Sequence, residues 1–274
     1  MRNLRQTIAF SYAAIRTRHK LGRVRLLLLY WSYCLKGLMG GAKQVRLGPL
    51  RINTPNFKHF IGIFEEIFLN RCYFFSCDNP SPRIIDAGAN IGLASCYFKT
   101  LYPQARIDLF EADKSTADIL RSTIEINSWQ DCRVFPYAVA EQDGEITFYS
   151  RTDEQASSYN STVEARVNKS QFVEQKVKAI RLSSHIDGPI DLLKLDVEGA
   201  EMGVLRDLAD TKKLQQIEQM FIEYHHHIDK NVDEFGQFLG LLEGNGFGYV
   251  VTSWLNLPTW RGRFQDLVIY AYRK

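Results

Sequence analysis

From residue 83 onward, short apolar runs alternate with stretches whose apolar residues recur at helical spacing. "RIIDAGA" reads as a short buried strand. Ile91, Ala94, Phe98 and Leu101 then mark one face of a helix that Pro103 stops. "RIDLFEAD" (Arg106 to Asp113) is a second strand, and Ser115 opens a helix with Ala117, Leu120 and Ile124 on one side. "CRVFPYAVA" (Cys132 to Ala140) supplies a third strand, and "EITFYS" (Glu145 to Ser150) after the Asp143-Gly144 turn an antiparallel excursion. "DLLKLDVEGAE" (Asp191 to Glu201) is another buried strand, turning at Gly199 into a helix through Met202, Leu205 and Leu208. "MFIEYHHH" (Met220 to His227) is a strand, Phe235 to Leu242 a helix, and "FGYVVTSWL" and "DLVIYAYRK" close the chain. The last two have no helical pattern between them, so they are expected as antiparallel neighbours. The pattern predicts an α/β fold: a doubly wound, mostly parallel sheet of roughly seven strands with an antiparallel edge strand.

The chain before this region is different. "LLLLYWSYCL" (Leu26 to Leu35) is followed by Lys36 and the glycine-rich Gly37 to Gly41. The block is shorter than the roughly 20 apolar residues a membrane span requires. Arg16, Arg18, Lys20, Arg23 and Arg25 precede it and Tyr30 and Trp31 lie within it. That combination suits either a helix lying in an anionic membrane interface or one packed on the body. Residues 1–47 are accordingly expected to be a helical extension and 48–274 the main domain. The polar stretch Arg151 to Ser170 has the length and composition of a lid.

Charge sharpens this division. Twelve of the 34 Lys and Arg precede Glu65, the first acidic residue, which leaves 22 basic against 31 acidic side chains in the remainder. An acidic body argues against a nucleic-acid substrate. Five cysteines with no CxxC pair argue against a zinc ribbon or a closed disulfide framework. The basic start, without a small-residue cleavage site, does not read as a signal peptide, so a cytoplasmic location is expected, at the inner membrane face if the apolar block binds lipid.

The chemistry lies at strand ends. "DAGANIG" (Asp86 to Gly92) fills a strand-to-helix turn, the position where doubly wound sheets bind ligands. A pyrophosphate turn needs G-x-G-x-x-G, but in register from Gly88 the second and third glycines are replaced by Asn90 and Leu93. No Gly-Lys-Ser/Thr follows either. What remains places Asp86 and Asn90 where they can meet a cationic amino-acid tail, with Gly88 and Gly92 allowing close approach. S-adenosylmethionine has such a tail. Glu111, at the end of the next strand, is placed for ribose hydroxyls, a role that serves NAD and S-adenosylmethionine alike. A third cluster, Asp196, Glu198 and Glu201, surrounds Gly199.

Together, "DAGANIG", "LFEAD", "LLKLDVEGAE" and "FIEYHH" resemble the FkbM family of S-adenosylmethionine-dependent methyltransferases, in order and spacing over roughly residues 83 to 255. The resemblance implies a class I methyltransferase (Rossmann-like) sheet and O-methylation of a hydroxyl, with sugars and polyketide alcohols among the family's acceptors. Relatives often carry a single histidine after the fifth-strand glutamate, whereas this chain has His225, His226 and His227. The donor site is expected at Asp86, Gly88, Asn90, Gly92, Glu111 and Ala138.

Methyl transfer to a hydroxyl needs alignment and a group to take the proton. Strand alternation puts Glu223 and His225 on one face, with His227 two residues further along. His225 is expected to be the base, oriented by an acid, with Glu223 and Asp196 beside it and Asp196 next to the sulfonium or acceptor. Glu198 and Glu201 also suit solvated charges at a helix N-terminus, a reading that fits Glu201 better than Asp196. A metal held by these carboxylates and histidines is the lesser alternative. An NAD-dependent oxidoreductase or epimerase and a silent nucleoside-binding module are the competing functions. The first lacks its glycines and a Tyr-x-x-x-Lys pair on a helix, and the second would be expected to have lost the strand-end acids.

Overall fold

The computed structural model of the chain describes residues 23–151, 172–229, 233–253 and 264–274. The elements begin with α1 (Arg23–Leu38), a hairpin of β1 (Gln44–Leu47) and β2 (Leu50–Asn53), and α2 (Phe57–Phe64), which runs on into a π-helical turn, Glu65–Leu69. The alternating part follows: β3 (Arg83–Ala87), α3 (Leu93–Leu101), β4 (Arg106–Phe110), α4 (Lys114–Ile126), β5 (Cys132–Phe135), β6 (Ala138–Ala140), β7 (Gly144–Arg151) and β8 (Phe172–Arg181). Then come β9 (Ile190–Leu195), α5 (Glu201–Asp210), β10 (Ile217–His226), α6 (Phe235–Gly244), β11 (Phe247–Ser253) and β12 (Gln265–Arg273).

The main sheet has seven strands in the order β11-β12-β10-β9-β3-β4-β5. Strands β10, β9, β3, β4 and β5 run parallel, while β12 is antiparallel to both of its neighbours at the β11 edge. The strand order reverses between β3 and β9, so the ligand crevice opens there. Apolar runs rather than strict alternation mark these strands because both faces are covered. Ile84, Leu192 and Phe221 belong to the core under α3, α4 and the N-terminal layer, whereas Ile85, Leu193 and Ile222 belong to the core under α5 and α6.

Two sequence expectations need correction. "CRVFPYAVA" is not one strand: it breaks at Pro136-Tyr137, giving β5 in the main sheet and β6 in a separate three-stranded sheet, β6-β8-β7. Pro136 has no N–H to give to a ladder, and the run breaks there. The partner of "EITFYS" is β8, a strand the sequence reading did not identify; Ile146 pairs with Val177 and Phe148 with Gln175. Most of the expected lid, 152–170, lies outside the described residues.

The extension packs on the body. Leu26, Tyr30 and Tyr33 of α1 are buried, with the Tyr33 ring edge-on to Phe60 and Phe64 and Tyr30 Oη donating to Glu65 Oε2 at 2.9 Å. The boundary drawn between residues 47 and 48 falls in the turn of the β1–β2 hairpin. The opposite side of α1 is an apolar stripe: Val24, Leu28, Trp31, Leu35 and Leu38 are exposed, from 45% at Trp31 to 79% at Leu38. No helix among the described residues is long and apolar enough to cross a membrane.

Candidate active site

The cavity at the switch point is lined by both halves of the sheet, including Gly88, Asn90, Glu111 and Ala138 on one side and Asp196 and Glu223 on the other. Gly88 is required by geometry: its φ is +84°, and a Cβ would sit 1.8 Å from the Asp196 carbonyl oxygen. Asn90 also has positive φ, +48°, and its amide oxygen accepts from the next backbone N–H, Ile91, at 2.7 Å. Its own N–H donates to Glu111 Oε2, and Asp113 N–H donates to Glu111 Oε1, both at 2.9 Å. Burial pushes the Glu111 carboxyl up to about 7 despite these two donors. The cap of α4 is Asp113, whose Oδ1 accepts from Thr116 N–H at 2.8 Å, which leaves Glu111 free of that duty.

Asp86 and Gly92 lie behind the cavity wall. The Asp86 carboxyl is fully buried; Ser95 Oγ donates to Oδ2 at 2.8 Å, and Lys194 Nζ stands 3.5 Å from Oδ1. Gly92, φ +88°, begins α3 where a Cβ would come within 2.7 Å of Leu120. Lys194 is the residue the sequence reading passed over. A lysine within an apolar strand has to be paired, and that was its signal. Nζ donates to Gly88 O at 2.9 Å and to Asp196 Oδ2 at 3.1 Å. Burial opposes its charge, but Asp196, Asp86 and Glu223 outweigh that and hold its pKa above the ordinary value.

On the β10 side, Glu223 and His225 share a face as strand alternation requires. Tyr73 Oη, from the segment after the π-helical turn, donates to Glu223 Oε1. Burial, then the Asp196 charge, pushes Glu223 up to about 8. His225 is buried behind Asp196 and Glu198. Its Nδ1 lies 2.8 Å from Glu201 Oε1, and its Nε2 lies 3.0 Å from Glu198 Oε2 and 4.0 Å from Asp196 Oδ1. Asp266 of β12 brings Oδ1 to 3.9 Å from the same nitrogen.

Glu201 is thus not a solvated helix-end charge. It is 2% exposed, and its Oε1 accepts from Gly199 N–H at 3.0 Å and Val197 N–H at 3.3 Å as well as facing Nδ1. A carboxylate braced by backbone donors fixes Nδ1–H toward itself and aims Nε2 at the cavity side. The turn that permits this has Glu198 at φ +55° and Gly199 at +107°. His227 does not continue the face of Glu223 and His225. The strand ends at His226, and His227 has φ +56°, which folds its ring back beside His226.

A sheet with this strand order, a nucleoside-sized acid at the end of its second parallel strand and a histidine held between carboxylates beside the crevice is the arrangement of a class I methyltransferase. The family model of the methyltransferase FkbM domain matches residues 86–249, and the chain belongs to that family. Methyltransferase 1 of Beauveria bassiana is 29% identical over 219 residues, covering 72% of this chain and 83% of its own. Methyltransferase sdnD of Sordaria araneosa is 30% identical over 190 residues, covering 59% and 73%. The 2-O-methyltransferase NoeI of Sinorhizobium fredii is 27% identical over 161 residues, covering 54% and 65%. The chain is an S-adenosylmethionine-dependent methyltransferase, and the oxidoreductase and silent-module alternatives fall with that.

The cavity suits the donor. Glu111, with one N–H on each oxygen, keeps its remaining lone pairs for a diol, and the Asp196 carboxylate on the facing wall suits a cationic group. When bound, S-adenosylmethionine supplies the methyl group from a sulfonium.

Proposed function

We propose that the protein O-methylates a hydroxyl of a sugar, glycolipid or similar hydroxylated small molecule, with His225 as the base. The observation that carries this is the Glu201–His225–Glu198 line, which reaches the cavity wall at Glu198. A hydroxyl is a poor acid, so its proton must leave as the new bond forms. Glu201 holds Nδ1–H and stabilises the charge that builds on the ring. Nε2 takes the hydroxyl proton once Glu198 swings aside. Asp196, fixed by Lys194, and Glu223, fixed by Tyr73, border the space in which the hydroxyl must align. Asp86, Gly88, Asn90, Gly92, Glu111 and Ala138 form the donor half, with Asp86 and Gly92 acting as its supports. NoeI carries 2-O-methyltransferase in its name and favours the hydroxyl reading here.

The test uses donor labelled in the methyl group, offered with sugars, lipid-linked glycans, polyketide alcohols, carboxylic acids and RNA. Label in a product that survives mild alkali, as an ether does, is expected. Label confined to an alkali-labile ester or to RNA would sink the assignment.

The same reading places the enzyme at an anionic membrane face when its acceptor is lipid-borne. The outward stripe of α1 is flanked by exposed Arg25, Lys36 and Lys43, and each basic residue near such a surface contributes about 1 kcal/mol. Flotation on anionic vesicles should weaken with salt and with Leu28→Glu/Leu35→Glu, outward positions that leave the core intact. Unchanged flotation of that variant would remove the membrane contact.

A further inference from the structure

Beyond the catalytic face of β10, its other face ends in a second cluster that the methyltransferase reaction does not use. A ring nitrogen of His226, a ring nitrogen of His227 and a carboxylate oxygen of Asp233 all lie within 4.8 Å of one another. Three features set this apart from a chance gathering of surface groups. The Nδ1 atoms of both histidines are shut off from solvent and have no hydrogen-bond partner among the described residues, a costly state for two polar atoms. The two rings converge only because His227 takes a left-handed backbone, φ +56°; in a continuing strand consecutive side chains would point to opposite faces. And one wall is aromatic, with the His226 ring 5.4 Å from Phe235 and 6.1 Å from Tyr224, so the imidazoles are held in place rather than free in water.

We propose that His226, His227 and Asp233 bind a divalent transition-metal ion of the zinc and nickel type. Two imidazoles and one carboxylate form a borderline donor set, which favours such ions over magnesium or calcium. A tetrahedral ion with bonds of about 2.0 Å draws its ligands to roughly 3.3 Å apart, so closure requires only a modest contraction, and solvent fills the fourth position. The ion joins the end of β10 to Asp233, two residues before α6. It lies on the side of the strand away from His225, so it is a brace for the chain next to the active site rather than part of the reaction.

The test is a zinc titration of untagged full-length protein against a chromophoric chelator, with cobalt absorption to report coordination. Wild type should take up a single ion per chain with a tetrahedral cobalt spectrum. His227→Gln and Asp233→Asn should each weaken uptake by roughly tenfold or more, given that even outer-sphere partners are worth that much. His225→Gln should retain it. Asp233 is exposed, so its variant keeps the experiment decisive if a histidine variant fails to fold. Absence of uptake by wild type overturns the proposal. So does uptake that survives at Asp233→Asn and disappears with His225→Gln, which would assign the ion to the Asp196, Glu198 and His225 cluster instead.

Discussion

The two halves of the crevice are made from different materials. The donor half, at the ends of β3 and β4, is shaped by backbone: two glycines and an asparagine at positive φ, and a glutamate braced by two N–H groups. The other half, at the ends of β9 and β10, is shaped by charge: four carboxylates and one imidazole meet around a buried lysine and a buried tyrosine. A ligand whose shape is always the same can be read by fixed backbone, whereas a step that moves a proton needs groups whose protonation can change. Lys194 belongs to both, because it donates to Gly88 O in the first half and Asp196 in the second.

The sharpest way to separate the halves is His225→Ala. Turnover should fall by about a hundredfold to ten-thousandfold while donor affinity, measured by calorimetry, stays near wild type. A parallel loss of donor binding would mean the halves are not separable at this residue. Lys194→Met should damage both together: it leaves Asp86 and Asp196 without their cation, a loss of about 3–5 kcal/mol for breaking a buried pair, read as a lower denaturation midpoint. A variant as stable as wild type would show that the lysine does not tie the halves together.

Glu111→Ala addresses the donor half alone. Donor affinity should weaken by about 1–3 kcal/mol with the acceptor-side chemistry intact once donor is saturating. An unaltered dissociation constant in a folded variant would remove the ribose role. The smallest effect concerns pH. Glu223 has its pKa raised from the ordinary 4.5 to about 8 by burial and Asp196. Below 4.5 the folded and unfolded chains both hold the proton; between 4.5 and 8 only the folded chain does, so this group's contribution to stability declines as pH rises through that window. Glu223→Gln, which still accepts from Tyr73, should match wild type near pH 5 and melt higher by several degrees at about pH 9. Equal melting at both pH values would mean that Glu223 is not held protonated.

The same division governed what could be read from the sequence. Gly88, Asn90 and Glu111 announce themselves because a strand-to-helix turn with glycines and a following acid at the next strand end has few uses. The mostly parallel sheet follows from the alternation of elements. Glu201 reads as a solvated charge because an acid in the first turn of a helix is ordinarily solvated, and only the fold brings Val197, Gly199 and His225 around it. Tyr73 carries no local signal at all, since it reaches Glu223 from irregular chain 150 residues away. His227 was placed by extending a two-residue period past the point where the backbone leaves the strand. β8 was missed because its inward positions mix Gln175 with Val177 and Ala179, and its partner lies across a long polar stretch.

The position of β12 has a consequence for biosynthesis. It is the last strand of the sheet to be made, yet it lies between β10 and β11 and places Asp266 opposite His225 in the ladder. While the ribosome is still translating the preceding residues, β10 has an open edge, which other chains can pair with. The backbone-shaped half can assemble early, from neighbouring βα units. The charge-shaped half is completed only when β12 brings Asp266 beside His225.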